Sequence, residues 1–223
     1  MNTGLKGAQR IATLRGRMYY RTFTDSQARD IPRLQGIYAF FLDLISPAKI
    51  GLAGKGPWDE VTLLKAKLSL LRRAHKQMAV AHSAELNGLL AETHKTGPLQ
   101  AAYWMTAKKQ SQFDSMQELE QLDLAGVREY AEIIHETVTF AQPLYVGITY
   151  EQTLLERYVQ HRSAFQSGAA TSGFGARVRD LEIDWDDLLF ACKPLAQPTT
   201  NRPMLRKAER HLHALTHPIC SLK

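Results

Sequence analysis

"LYVGITYEQTLLERYVQH", residues 144–161, changes character halfway along. Its first part is a short run of β-branched and aromatic residues with one glycine, the pattern of a buried strand. Its second part is amphipathic. There Arg157 and His161 stand four residues apart, so on a helix they share one face, one turn from each other. Tyr145 lies on the strand that feeds this helix. The stretch predicts a strand–helix unit in which a phenol, a guanidinium and an imidazole converge on one point.

The whole chain has 223 residues, enough for one large domain or a small domain carrying an insertion. With 44% hydrophobic and 22% charged residues, its composition is that of an ordinary globular protein. A formal charge of +6 and a pI near 9.3 favour an anionic partner, nucleic acid being the commonest. A mildly basic enzyme with no polyanion partner fits the same balance. The charge is uneven. Residues 1–35 and 65–76 are basic, whereas 114–136 carry Asp114, Glu118, Glu120, Asp123, Glu129, Glu132 and Glu136, a solvated or partner-facing surface. Only Cys192 and Cys220 occur, which argues against a disulfide framework and fits a reduced compartment. No apolar run reaches membrane length and no signal-peptide pattern opens the chain, so the expected location is cytoplasmic.

Along the chain, residues 1–34 read as an irregular basic arm with a short helix. "GIYAFFLDL" at 36–44 reads as a buried strand and "SPAKIGLAGKGP" at 46–57 as a loop. From Trp58 to about Glu92 the periodicity is helical, with Val61, Leu64, Leu68, Leu71, Met78 and Leu86 as the apolar positions. "TGPL" at 96–99 breaks it. "SMQE" at 115–118 has the form of a capping box opening a helix to about His135, with Leu119, Leu122, Val127, Tyr130 and Ile134 inward. The region 58–135 is thus expected to be mostly helical, a helical hairpin with an extra segment around "AAYWM". "QSGAATSG" at 166–173 reads as a loop, 187–192 as a third strand, and "NRPMLRKAERHLHALTH" as a final helix.

"GIYAFF", "LYVGIT", "ERYVQH" and "AERHLHALTHP" occur in that order, and together they resemble the GIY-YIG nuclease superfamily. Either tyrosine motif alone would carry nothing; the ordered set covers roughly residues 34–44 and 143–223. The resemblance implies an α/β (α+β) fold with a small three-stranded antiparallel or mixed sheet flanked by helices. It divides the chain into a basic arm, 1–35, a core of 36–45 with 137–223, and a helical insertion, 46–136. In the family the two tyrosine motifs stand about ten residues apart in a hairpin. Here the insertion lies between Tyr38 and Tyr145, at a hairpin tip, where added length costs little closure entropy. The family's late asparagine is absent: Pro218 follows Glu209, but Ser221 stands where asparagine is expected.

The resemblance implies a metal-dependent endonuclease that hydrolyses phosphodiester bonds, acting on duplex DNA in a restriction- or phage-linked setting. It implies that Tyr38 accepts a proton from water, that Tyr145 and His161 position that network, and that Arg157 holds the non-bridging oxygens with its planar fork. Glu209 would bind a divalent cation, Mg2+ or another such as Mn2+. Lys49, Lys55, Arg72, Arg73 and Lys76 are the expected phosphate contacts of the insertion.

Several alternatives stay open. "KIG" at 49–51 also follows "GIY" at close to the family's spacing, with Arg72, Arg73 and His75 on the helix after it, although neither arginine is four before the histidine. His211, His213 and His217 allow a transition-metal pair or a solvated face. Asp184, Asp186 and Asp187 fit a turn before a strand. "GLAGKGP" lacks the Ser or Thr of a P-loop. The competing function is a non-catalytic module that binds nucleic acid or protein, its insertion serving a partner helix or a homodimer.

Overall fold

The computed structural model describes residues 20–82, 86–91, 102–107, 114–168, 173–197 and 199–220. The first part of the basic arm, "TGPL" at 96–99 and Ser221 lie outside the described residues. In chain order the elements are β1 (Arg21–Phe23), β2 (Gly36–Leu42), α1 (Glu60–His82), β3 (Leu86–Ala91), β4 (Ala102–Ala107), α2 (Asp114–Glu120), α3 (Val127–Thr137), β5 (Tyr145–Ile148), α4 (Leu154–Ser167), α5 (Phe174–Asp180), β6 (Leu188–Pro194) and α6 (Arg202–Thr216). The chain forms two compact units, Met1–Phe41 with Pro143–Lys223, and Leu42–Gln142. Among the described residues, no helix is long and apolar enough to cross a membrane.

The first unit is built on an antiparallel sheet of order β1-β6-β2-β5. The two tyrosine motifs are neighbouring antiparallel strands, with Ile37 opposite Ile148, Tyr38 opposite Gly147 and Phe40 opposite Tyr145. On the other side of β2 the amide of Leu195 donates to the carbonyl of Gln35 at 2.9 Å, just beyond the end of β6. The sheet has four strands where the sequence predicts three. The extra one, β1, pairs Thr22 with Ala191 at the outer edge of β6. It is three residues long and sits in a basic stretch with no alternation, so nothing in its pattern marks it as a strand. A 3-10 helix follows at Asp25–Asp30, in place of the expected short helix.

Aromatic rings fill the core of this unit. Phe40 has ring centroids at 4.6 Å from Phe174, 5.0 Å from Phe190 and 5.5 Å from Trp185, spacings that favour edge-to-face and tilted contact. Two glycines make room for close approaches. A Cβ on Gly36 would stand 2.6 Å from the carbonyl of Lys193 and 2.7 Å from Leu154 Cδ1. A Cβ on Gly175 would stand 2.7 Å from the amide nitrogen of Phe165, so α5 lies directly on the backbone of α4. The loop reading of 166–173 stops short of α5, whose seven residues, "FGARVRD", are too few to show a helical period.

The second unit corrects the sequence reading in three places. First, α1 ends at His82, and Leu86 belongs to a strand. β3 and β4 form a two-stranded antiparallel sheet with Leu89 opposite Trp104, so the segment around "AAYWM" is a strand paired with the stretch expected to end the first helix. "LNGLLA" and "AYWMTA" are short apolar runs, which periodicity cannot divide between helix and strand. Second, the apolar stripe of α1 has a different phase. Ala66, Leu70 and Ala74 are buried, whereas Val61, Leu64 and Leu68 are exposed. Small residues at 66 and 74 let a neighbour approach, and α1 packs against α2 and α3 along this unit. Third, the helix expected from Ser115 to His135 is two helices, and Ser115 lies inside the first. Asp123 Oδ1 accepts from the Gly126 amide at 2.6 Å, a side chain-to-backbone bond that competes with helix continuation.

Substitution of Gly36 by alanine tests the packing that sets β2 against β6 and α4. Both nearest atoms belong to fixed structure, one of them backbone. The expected loss is about 1–3 kcal/mol, the usual cost of overpacking, read as a lowered denaturation midpoint at unchanged slope. A wild-type midpoint would show that the three elements can separate freely at this point.

Candidate active site

Tyr38 and Gly147 face each other across the β2–β5 pair, and the ring of Tyr38 lies over the glycine. A Cβ on Gly147 would stand 2.5 Å from Tyr38 Oη. The glycine of "YVG" is therefore a space for the tyrosine of "GIY". α4 begins immediately afterwards. Thr153 and Glu156 form a capping box there, the Thr153 hydroxyl accepting from the Glu156 amide at 3.2 Å. "TLLE" at 153–156 is the capping signature that the sequence reading passed over in favour of "SMQE". The rotation of α4 is fixed by its buried positions, Leu154, Tyr158 and His161. The Tyr158 hydroxyl donates to Asp25 at 2.6 Å and accepts from Trp185 Nε1 at 3.0 Å, and Arg162 pairs with Asp25 at 2.7 Å.

This register and rotation bring three predicted residues to one oxygen. Arg157 Nε donates to the Tyr38 hydroxyl at 3.0 Å, and His161 Nε2 lies 3.0 Å from it. Tyr38 is 2% exposed. Burial pushes its phenol well above the ordinary range, and the neighbouring Tyr145 adds to this. The Arg157 cation acts the other way and is outweighed. His161 moves oppositely: burial, then the positive charges of Arg157 and Arg177, lower it to about 3. At neutral pH the site thus holds a neutral phenol and a neutral imidazole beside a guanidinium. A neutral imidazole carrying its proton on Nδ1 can accept the phenol proton at Nε2.

α6 covers the outer edge of β5. Every second residue of that strand turns its backbone outward, and three of these outward groups meet α6 or the segment after it. Leu144 O accepts from the Cys220 amide at 2.7 Å, Val146 O accepts from His213 Nε2 at 2.7 Å, and the Ile148 amide donates to Glu209 Oε1 at 3.2 Å. Glu209 and His213 are one turn apart on α6, matching the two-residue step of the strand. The Tyr150 hydroxyl donates to the other Glu209 oxygen, and burial with this carboxylate pushes the phenol up to about 12.

These elements enclose a cleft of about 560 Å³. Tyr145, Arg157, His161 and Glu209 line it, and so do Arg177 and Arg210. Tyr38 lies beneath it, reached through Arg157 and His161. Among the described residues no group of three or more His, Cys, Asp or Glu side chains forms a metal cluster, which leaves the His211–His213–His217 idea without a third ligand. Glu209 is the carboxylate on the cleft wall. One carboxylate completed by water and phosphate oxygens is a common way to hold Mg2+, so the donor set fits that ion in the presence of a phosphate ligand.

The five expected phosphate contacts belong to the second unit. Lys49 Nζ pairs with the buried Asp43 at 3.3 Å, and His135 Nδ1 meets the same carboxylate at 3.0 Å, so Lys49 is committed inside its own unit. This also removes "KIG" from the role of a tyrosine motif, since Lys49 lies outside the strand pair. Arg73 donates to the Leu44 carbonyl at 3.4 Å, Lys76 is half-buried, and Lys55 and Arg72 are exposed. Asp184, Asp186 and Asp187 form the 3-10 turn that precedes β6, as a turn reading expects. Sequence reasoning missed Tyr150 and Arg177. "GITY" could have suggested the first, as the next outward position after Ile148. No motif marks the second.

The state of His161 is open to measurement. An unfolded histidine takes its proton near 6.5, whereas folded His161 takes it only near 3. Between these values the unfolded chain binds the extra proton, so stability present above pH 6.5 is lost progressively as pH falls towards 3. Long-range proton–nitrogen NMR spectra should place the His161 proton on Nδ1 at pH 7 and show no titration down to pH 5. A protonated ring at pH 6 would overturn this assignment. Comparison of the chain with protein-family models, with curated proteins and with solved structures gives no match, so the case for a function rests on this geometry.

Proposed function

We propose that the chain is a metal-dependent endonuclease of the GIY-YIG kind, hydrolysing phosphodiester bonds in duplex DNA. One observation carries the reading. Residues from two distant parts of the sequence meet at one hydroxyl, Arg157 and His161 lying 119 and 123 positions after Tyr38, and Tyr145 and Glu209 share the cleft above it. A net charge of +6 supports an anionic substrate.

In this reading Arg157 holds the non-bridging oxygens of the scissile phosphate and offsets the charge that develops there. Its bond to Tyr38 orients the guanidinium, and Gln160 accepts from a terminal nitrogen of the same fork. Tyr145 faces the cleft and positions the attacking water. Tyr38 as phenolate accepts the proton of that water, Arg157 being the cation that favours this form, and the neutral His161 orients its oxygen. Glu209 would hold a divalent cation, with Tyr150 fixing its carboxylate, and that ion would supply charge neutralisation at the leaving oxygen. A second reading, a binding module on the same scaffold, is favoured by the burial of Tyr38, whose phenol is far from ionised.

Supercoiled plasmid incubated with the full chain should be nicked or linearised in Mg2+ or Mn2+ and left intact in EDTA. Arg157→Ala should fold and cleave slower by about a hundredfold or more, the cost of losing one transition-state contact. Glu209→Ala should lose the divalent-dependent rate. Duplex binding by the wild-type chain with no cleavage in either ion would favour the binding module instead.

A further inference from the structure

Arg177 lines the cleft wall with two donors that no described residue satisfies. Its Nε and Nη1 are buried and have no hydrogen-bond partner among the described residues. Two other arginines have an unpartnered Nε, but each is held elsewhere: Arg128 by Glu132 at 2.7 Å and by the ring of Trp58, and Arg162 by Asp25 at 2.7 Å. The comparison within α5 is sharper. Arg179 donates Nη1 to the carbonyls of Ala164 and Phe165 at 3.1 and 2.8 Å, closing the end of α4, whereas Arg177, two residues earlier, lines the cleft. Its backbone has little freedom, because Gly175 seats α5 against α4.

A guanidinium offers five donors and no acceptor, and buried polar groups are ordinarily satisfied. The cleft wall brings Arg177 together with Arg157 and Arg210, against one carboxylate, Glu209. Glu209 already accepts from Ile148 and Tyr150. Among the described residues no acceptor answers these donors, and a tetrahedral phosphate entering the cleft would suit the planar fork.

We propose that Arg177 is a phosphate-binding residue of the cleft, donating to an oxygen of a phosphodiester held beside Arg157. This rests on the nuclease reading for the source of the phosphate, although the oxyanion chemistry does not. The competing account gives Arg177 only a structural task, as a fixed cation near His161.

The test uses the full chain, with Arg177→Met, which keeps the apolar stem, and Arg177→Lys, which keeps the charge. A short DNA duplex is titrated without divalent cation over a range of salt. Loss of one phosphate contact in the methionine variant should weaken binding and flatten the plot of log affinity against log salt by about 0.9, with lysine restoring the slope. A purely structural cation would leave the slope unchanged, and that result overturns the proposal. In a second arm, inorganic phosphate is added to the wild-type chain while the Arg177 Nε–H signal is followed by nitrogen-15 NMR. If the duplex fails to bind, the nuclease reading falls and this arm decides: an Arg177 shift without an Arg179 shift supports a phosphate site, and no shift overturns it. The second arm needs no variant, so it stands even if the variants melt early.

Discussion

The register of β2 against β5 is the constraint on which the rest depends. It sets the ring of Tyr38 over a residue with no side chain, and the hydroxyl emerges under the first two turns of α4. A slip of one residue would turn Tyr38 to the opposite face of the sheet and break every contact of its oxygen. Around that oxygen, rotation of α4 does the remaining work. Leu154, Tyr158 and His161 are buried on one stripe, and this places Arg157 at its margin, half in and half out. The guanidinium can then touch the buried phenol and the cleft together.

The electrostatics follow from burial more than from charge pairing. Arg157 lies at hydrogen-bond distance from Tyr38, yet desolvation outweighs it and the phenol stays protonated. The same desolvation, helped by two guanidiniums, keeps His161 neutral. Cations near a buried network usually ionise an acid; here Arg157 is outweighed by burial at the phenol, and with Arg177 it adds to burial in disfavouring the charged imidazole. Glu209 has two tasks with one carboxylate. It satisfies an outward amide of the strand and presents negative charge to the cleft.

Much of this was legible because it depends on short-range pattern. The strands at Gly36–Leu42, Tyr145–Ile148 and Leu188–Pro194, and the helices carrying Arg157 and Glu209, follow from residue type and spacing. That the two tyrosine strands pair could not be read from periodicity, since about a hundred residues separate them; it came from the order of the motifs. What stayed hidden is what tertiary context decides. β1 is too short for a pattern, and "LNGLLA" and "AYWMTA" are ambiguous runs. The leucines of α1 outweigh its alanines in any hydrophobic count, yet the alanines are buried. Arg177 looks like any surface arginine until α5 is seated on α4.

The chain leaves the first unit after Phe41 and returns at Pro143, and the Leu144 amide donates to Phe40 O at 2.8 Å between those two points. The consequence is thermodynamic. A floppy connection of about a hundred residues costs roughly 2 kcal/mol more closure entropy than one of about ten, at about 0.6 kcal/mol per doubling. A folded insert whose ends are held together removes most of that penalty, because it has already been met in forming the insert. The second unit therefore contributes to the stability of the β2–β5 pair through closure of the chain. A lesion in its core, at Leu70 or Val127, reaches the tyrosine pair through the entropy of the connecting chain.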